Sequence, residues 1–317
     1  MADILKIVFM GTPDFAVPSL DAAAAGHEVT AVVTQPDRPA GRGGKTVISP
    51  VKARALQLGI PCLQPERVKS AEAMEMLESF SADVFVVAAY GQILSQKILD
   101  MPRLGCVNVH ASLLPKYRGA APIQWSIING ETVTGITIMQ MDAGIDTGDM
   151  LLAKPVAIEP SDDAGSLHDK LAELGAHALT EALTLMASGR AVREPQDDSI
   201  ATYAPMLTKE TGRIDWNENP ERVAGLVRGL SPRPCAWTQL DGEMFKIYSA
   251  TVCSGESGTA GTPGEILAAD SVNGIKVAGG GGGLLIHELQ RQNGKRLQAG
   301  EFLRGNSLRL GAIFGCK

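Results

Sequence analysis

The sequence predicts a two-domain α/β protein. Residues 1–189 should form a mostly parallel sheet with helices on both faces, residues 190–207 a linker, and residues 208–317 a small β-barrel. Three observations carry this. The chain opens strand–helix–strand, with β-branched apolar runs at 4–10 and 29–34 on either side of a helical stretch at 15–25, as a parallel sheet covered on both faces requires. The later run at 84–90 is apolar throughout rather than alternating, and a short apolar run follows at 105–109. Beyond residue 208 the pattern turns to short strands separated by Gly-rich turns. At 317 residues there is enough chain for two cores.

In chain order, the first strand is broken by Gly11-Thr12-Pro13. Pro13 stands where a G-x-G-x-x-G fingerprint needs its second glycine, so a dinucleotide reading loses its main support. Residues 35–52 are a Pro/Gly-rich loop carrying Arg38, Arg42, Lys45 and Lys52 against Asp37 alone. Gly44-Lys45-Thr46 imitates the tail of a P-loop, but Pro39 occupies the position of its first glycine. By composition this loop reads equally well as a solvated surface loop or a functional one. Helices are expected at 50–58 and 71–80, and a short strand at 61–64. Residues 91–95 leave the end of the 84–90 strand as a βα loop.

Next comes Asn108-Val109-His110 at the end of a strand. Side chains two apart on a strand point the same way. A carboxamide beside an imidazole suits chemistry at a carbonyl, since the amide can donate to a developing oxyanion and the imidazole can move a proton. Taken alone, such a pair is more often a strand-end cap than a catalytic pair. The turn 118–122 leads into a helix at 123–128, and strands follow at 134–141 and 150–158, the latter at an edge. Between them, residues 142–149 carry Asp142, Asp146 and Asp149 with two glycines. The spacing and closing Glu of a calcium loop are absent, and most such carboxylates only form turns. A long helix lies within 161–189, where His168 and His177 read as structural. In the C-terminal part a helix is expected at 220–230 and strands at 236–240, 244–252, 264–268, 274–277 and 284–289. The run 279–283 reads as a hairpin turn, and a closing helix is expected at 299–304.

Composition narrows the class. Hydrophobic residues make up 44%, charged residues 20% and aromatics 4%, an ordinary globular profile with an aliphatic core. No apolar run approaches a membrane span, and residues 1–13 have no signal-peptide or transit-peptide anatomy. The five cysteines stand apart from one another and from any His at metal-ligand spacing, so free thiols in a reducing cytoplasm are expected. The net charge is −6, yet residues 208–317 are mildly basic while the remainder is acidic, which leaves room for local RNA contacts.

Four stretches go further together: FMGTPDFAVPSL near the start, QPDRPAGRGGK at 35–45, NVHASLLPKYRGAAPIQW at 108–125, and TGITIMQMDAGIDTGDM at 134–150. With a second domain of matching size, the chain resembles the formyltetrahydrofolate-dependent formyltransferases over nearly its whole length. The resemblance is strongest to members acting on charged initiator methionyl-tRNA. It implies a Rossmann-like first domain and an OB-like barrel. It implies Asn108, His110 and Asp146 as catalytic residues, and Ser112, Leu113, Leu114 and Pro115 at the folate site, with the pterin against backbone near Gln92 and Leu94. It makes the loop of Arg42 a contact for the tRNA acceptor end. The co-substrate would be 10-formyltetrahydrofolate without a metal, and the protein a cytoplasmic monomer away from membranes. Rival readings are an amino-sugar-nucleotide formyltransferase, a glycinamide ribonucleotide formyltransferase, and a non-enzymatic RNA-binding protein with a degenerate site. The PDRPAGRG loop favours the tRNA reading over the sugar, and the intact Asn/His/Asp set opposes the last.

Overall fold

The computed structural model describes residues 3–40, 45–253 and 261–315, which divide into two compact units. The first comprises residues up to Pro122 with Val133–Ala157 and His168–Ala204, and the second comprises Ile123–Thr132, Ile158–Leu167 and Pro205 onward. Residues 190–204, read from sequence as part of a linker, therefore cluster with the first unit. Among the described residues no helix is long and apolar enough to cross a membrane.

The first unit runs β1 (Lys6–Gly11), α1 (Val17–Gly26), β2 (Glu28–Val33), β3 (Arg38–Ala40), β4 (Lys45–Val47), α2 (Pro50–Gln57), β5 (Cys62–Leu63), α3 (Ala71–Ser79), β6 (Val84–Ala88), α4 (Gln96–Leu99) and β7 (Cys106–His110). It continues with β8 (Arg118–Gly119), α5 (Pro122–Ile128), β9 (Val133–Gln140), β10 (Met150–Ala157), α6 (Ala164–Ala187) and β11 (Tyr203–Ala204), of which α5 and α6 continue into the second unit. The main sheet has the order β10-β9-β7-β6-β1-β2-β5. The five strands β5, β2, β1, β6 and β7 are mutually parallel, while β9 and β10 pair antiparallel at one edge. The mixed α/β class is as expected, with more antiparallel pairing than a fully parallel sheet.

Local chemistry explains these elements. Every residue of β6 is buried, so a continuous apolar run is what its two covered faces demand. In β10 exposed residues alternate with partly buried ones, and Pro155 is tolerated because this is an edge strand. The hydroxyls of Ser49 and Ser70 accept the amides of Lys52 and Ala73, capping α2 and α3. The sequence pattern suggested one helix over 15–25. Instead Asp14–Ala16 form a 3₁₀ turn before α1, because Pro18 has no N–H to return to Asp14. The Pro/Gly-rich loop also hides structure: β3 and β4 pair antiparallel, with Arg38 opposite Val47. Pairing of this kind uses backbone groups, which composition does not reveal.

The core beneath β1, β2, β6 and β7 joins Val8, Val33, Phe85, Ile98 and Cys106, each almost wholly buried. Each such aliphatic side chain contributes roughly 1.5–3 kcal/mol relative to exposure. Burial pushes the Cys106 thiol up to about 12, and its sulfur lies 3.7 Å from the Ile98 carbonyl. The thiolate is the reactive form, so iodoacetamide at pH 8 should leave Cys106 unmodified in the native protein and label it after unfolding. Peptide mass mapping checks this, and rapid labelling of the native chain would contradict the packing.

In the second unit, α7 (Pro220–Leu230) is capped by the Asn219 carboxamide on the Arg222 amide. It is followed by β12 (Ala236–Leu240), β13 (Glu243–Val252), β14 (Ile266–Asp270), β15 (Gly274–Gly279), β16 (Gly282–Arg291), β17 (Arg296–Gln298) and α8 (Ala299–Gly305). The strands form a separate antiparallel sheet of order β12-β13-β16-β15-β14, with β17 on β16. The run at 279–283 is the expected hairpin turn, with Gly279 opposite Gly282. Among the described residues no ladder joins β14 to β12, so the path is open. The C-terminal segment nevertheless bonds to both ends, through Phe314 N to Gly264 O and Gly315 N to Gln239 O, each 2.8 Å. Phe314 stacks on Trp216 at 5.8 Å and meets Phe245 edge-on at 5.7 Å inside this core.

Candidate active site

Parallel sheets of this kind open a crevice where the strand order reverses, at the carboxyl ends of the strands. Here the chain moves from β1 to β2 and β5 on one side, then to β6 and β7 on the other. The loops at that point are tied together. Thr12 donates its hydroxyl to the Tyr90 carbonyl at 3.0 Å and accepts the Gln35 amide at 3.2 Å. The Gln92 side chain accepts from Val68 N at 2.8 Å and donates to Pro65 O at 3.2 Å. Leu94 is buried in the core while Ile93, between them, is 80% exposed.

Asn108 and His110 end β7, two apart and on one side, as their spacing predicted. Asp146, from the β9–β10 loop, is brought to both. Its Oδ1 lies 3.5 Å from Asn108 Nδ2, and its Oδ2 lies 3.6 Å from His110 Nδ1. A third partner is firmer, since Gly119 N donates to Asp146 Oδ2 at 2.8 Å. The first two contacts are longer than ordinary hydrogen bonds, so the Asn108 amide keeps donor capacity for another oxygen.

The His110 ring is 5% exposed and its Nε2 lies 3.0 Å from the Tyr117 carbonyl oxygen. A carbonyl can only accept, so Nε2 carries a hydrogen and Nδ1 is the nitrogen turned toward Asp146. A proton gained at Nδ1 therefore sits beside a carboxylate that is itself only 15% exposed.

Asp146 has φ +54, a left-handed conformation that costs a β-carbon residue roughly 1–2 kcal/mol and that Asp and Asn tolerate best. A backbone held this way needs support. The Gln196 amide donates to Asp146 O at 2.9 Å and to Gly148 O at 2.7 Å. Its own Oε1 accepts Nε and Nη2 of Arg118, at 3.0 and 2.8 Å. Arg118 is only 3% exposed, and Asp198 lies 2.7 Å from its Nη2. The short ladder β8–β11, with Arg118 opposite Tyr203 and Gly119 opposite Ala204, sets this register. Gly119 has φ +119, and any β-carbon there would stand 2.7 Å from Ala204 O, so glycine alone delivers its amide to Asp146.

Ser112–Pro115 sit differently. Ser112 is fully buried and donates its hydroxyl to Lys116 O at 2.6 Å. Thr137 donates to Ser112 O at 2.7 Å and accepts Leu114 N at 3.1 Å. Leu114 and Pro115 are buried, and Leu113 lies so close to Gly135 of β9 that a β-carbon there would meet its Cδ2 at 2.5 Å. Their polar groups brace the turn that carries Tyr117 and Arg118. Arg42 lies outside the described residues. Gln196, Arg118 and the Gly119 amide were not singled out from sequence. The first lies in a polar stretch read as linker, and the other two in a turn, so no periodicity marks them.

With this geometry in hand, comparison with known proteins assigns the chain. The formyl transferase family matches residues 5–183, and its C-terminal domain matches residues 206–307. The chain belongs to the formyl transferase family. It is 50% identical over 99% of its length, and 99% of the relative's, to the methionyl-tRNA formyltransferase of Geotalea uraniireducens. It is 52% identical to that of Geobacter sulfurreducens, over 98% of this chain and 97% of the other. Among solved structures it shares the fold of WlaRD, a sugar 3N-formyl transferase solved in the presence of dTDP and 5-N-formyl-THF. The TM-score is 0.65 at 17% identity, covering 92% of this chain and 100% of that one. Membership of the formyl transferase family rests on these full-length matches rather than on any one motif.

Proposed function

We propose that this chain transfers the formyl group of 10-formyltetrahydrofolate to the α-amino group of charged initiator methionyl-tRNA. What carries the reading is identity of about one half, end to end, with curated methionyl-tRNA formyltransferases. The assembled Asn108, His110 and Asp146 supply chemistry that suits it. In this reading the nucleophile is the neutral amine, available near neutral pH because an α-amine titrates at about 7.7–8.0. As the amine adds to the formyl carbon, Asn108 donates to the carbonyl oxygen that becomes an oxyanion. His110 and Asp146 take the proton the amine must lose, at the Nδ1–Oδ2 contact, and return one to the folate nitrogen that leaves. The folate binds as co-substrate at the crevice beside residues 91–95, and the turn at 112–115 shapes the floor.

The chemistry is assigned to the first unit, which holds most of residues 1–189 together with 190–204. Residues 208–317 are assigned to the tRNA as an OB-like domain. Support for that fold comes from the family match at 206–307 and from the C-terminal segment bonding both ends of the strand path. A cytoplasmic site of action follows from the acceptor. Arg42 is assigned to the acceptor end, where a guanidinium can meet phosphates or stack on an unpaired base. Arg42→Ala should then lower kcat/KM for the tRNA by about tenfold or more and flatten its salt dependence. Unchanged kinetics across salt would remove the assignment. The function itself is tested by offering labelled 10-formyltetrahydrofolate with charged initiator methionyl-tRNA and, separately, with an amino sugar nucleotide. Formylation of the tRNA alone is expected, and formylation of the sugar alone would refute it.

A further inference from the structure

We infer that Gln196 is a positioning residue: through its two hydrogen bonds to the backbone of the 142–149 loop it holds the Asp146 carboxylate against Asn108, His110 and the Gly119 amide. The proposal deepens the formyl-transfer reading and rests on it. Among the described residues the Gln196 side chain hydrogen-bonds Arg118 and backbone carbonyls rather than the side chains of Asn108, His110 and Asp146. It donates to the carbonyls of Asp146 and Gly148, on either side of Thr147 in the loop that leads to β10. Asp146 itself is in the left-handed region, a conformation that persists only where its surroundings hold it. In the β9–β10 loop, Asp142 accepts Gly144 N and the Thr147 hydroxyl and so bonds only within the loop. Gln196 ties the backbone of the loop at Asp146 to another segment, while the Asp146 carboxylate accepts Gly119 N.

The amide must present its nitrogen to the loop, and Arg118 ensures that it does. A guanidinium has no acceptor, so of the Gln196 amide only the oxygen can meet its Nε and Nη2, which leaves the NH₂ group facing the two carbonyls. Arg118 is buried and charged, and Asp198 compensates it from the same segment. Arg118 also precedes Gly119, whose amide is the firmest partner of the Asp146 carboxylate. One cation thus fixes both the backbone of Asp146, through Gln196, and its side chain, through the neighbouring residue. Glutamate at 196 would turn an oxygen toward two carbonyl oxygens, while methionine would keep the length and lose both donors.

The test is a cycle of Gln196→Met with Asp146→Asn, read by steady-state formyl transfer and by deuterium exchange at the Gly119 amide. In the otherwise unsubstituted chain, Gln196→Met should lower kcat by about 30-fold with KM for the folate within about twofold, and should speed Gly119 exchange at least about tenfold. In the Asp146→Asn background the same change should cost less than about twofold in kcat, because residues that act through one another are not additive. Unchanged kcat and exchange would overturn the inference, as would an equal loss in both backgrounds, which would mark Gln196 as merely structural. Gln196→Glu serves as the second variant should the methionine fail to fold, with the same expectations. No transfer by the unsubstituted chain would instead overturn the reading beneath it. The exchange comparison needs no turnover, so the two failures are told apart.

Discussion

Asn108→Ala is expected to lower kcat for formyl transfer by about 100- to 1,000-fold while leaving the fold and both KM values nearly unchanged. Asn108 lies within β7 opposite Met139 of β9, in backbone pairing that alanine retains. Its amide meets Asp146 only at 3.5 Å, so little native hydrogen bonding is lost. In the proposed mechanism the lost group is a donor to the developing oxyanion, an interaction made mainly in the transition state, and such losses appear in kcat rather than KM. Purified protein, thermal unfolding and saturating transfer kinetics decide it. A variant that folds and turns over within a few-fold of the unsubstituted chain would leave Asn108 as a strand-end cap.

Asp146→Asn should cost more selectively, by about 10²- to 10⁴-fold in kcat, the range for loss of a positioned proton-transfer group. Asparagine tolerates φ +54 as aspartate does, and its carbonyl oxygen can still accept Gly119 N. The backbone and the loop should therefore survive, so that the measured loss belongs to the charge beside His110 Nδ1. Asp146→Ala removes the Gly119 acceptor and leaves alanine, which tolerates positive φ less well than aspartate, at φ +54. It should lose stability by about 1 kcal/mol or more in addition to activity. Equal activity of the two variants and the unsubstituted chain would mean that the carboxylate only closes a turn.

Some of this site was legible in the sequence and some was not. Asn108 and His110 could be paired from a two-residue spacing on a strand, because strand geometry fixes which side chains share a face. Asp146 could not be chosen over Asp142 or Asp149 by spacing; resemblance named it, and the structure brings it to both residues. The turn Ser112–Pro115 shows polar groups spent on Lys116, Thr137 and Thr202. Gln196 sits about fifty residues from its loop in a segment whose polarity reads as linker, and no local pattern marks a side chain whose partners are distant backbone carbonyls.

By itself the sequence determined the α/β class, the order of nearly all the long elements and the strand-end Asn–His pair. Each of these rests on periodicity, capping or spacing within a few residues, which local sterics and burial dictate. Only the tertiary structure decided the antiparallel edge of the sheet, the attachment of 190–204 to the first unit, and the Asp198–Arg118–Gln196 chain behind Asp146. Those depend on which distant backbone groups meet. A hydrogen bond between segments far apart in the chain leaves no trace in the composition of either one.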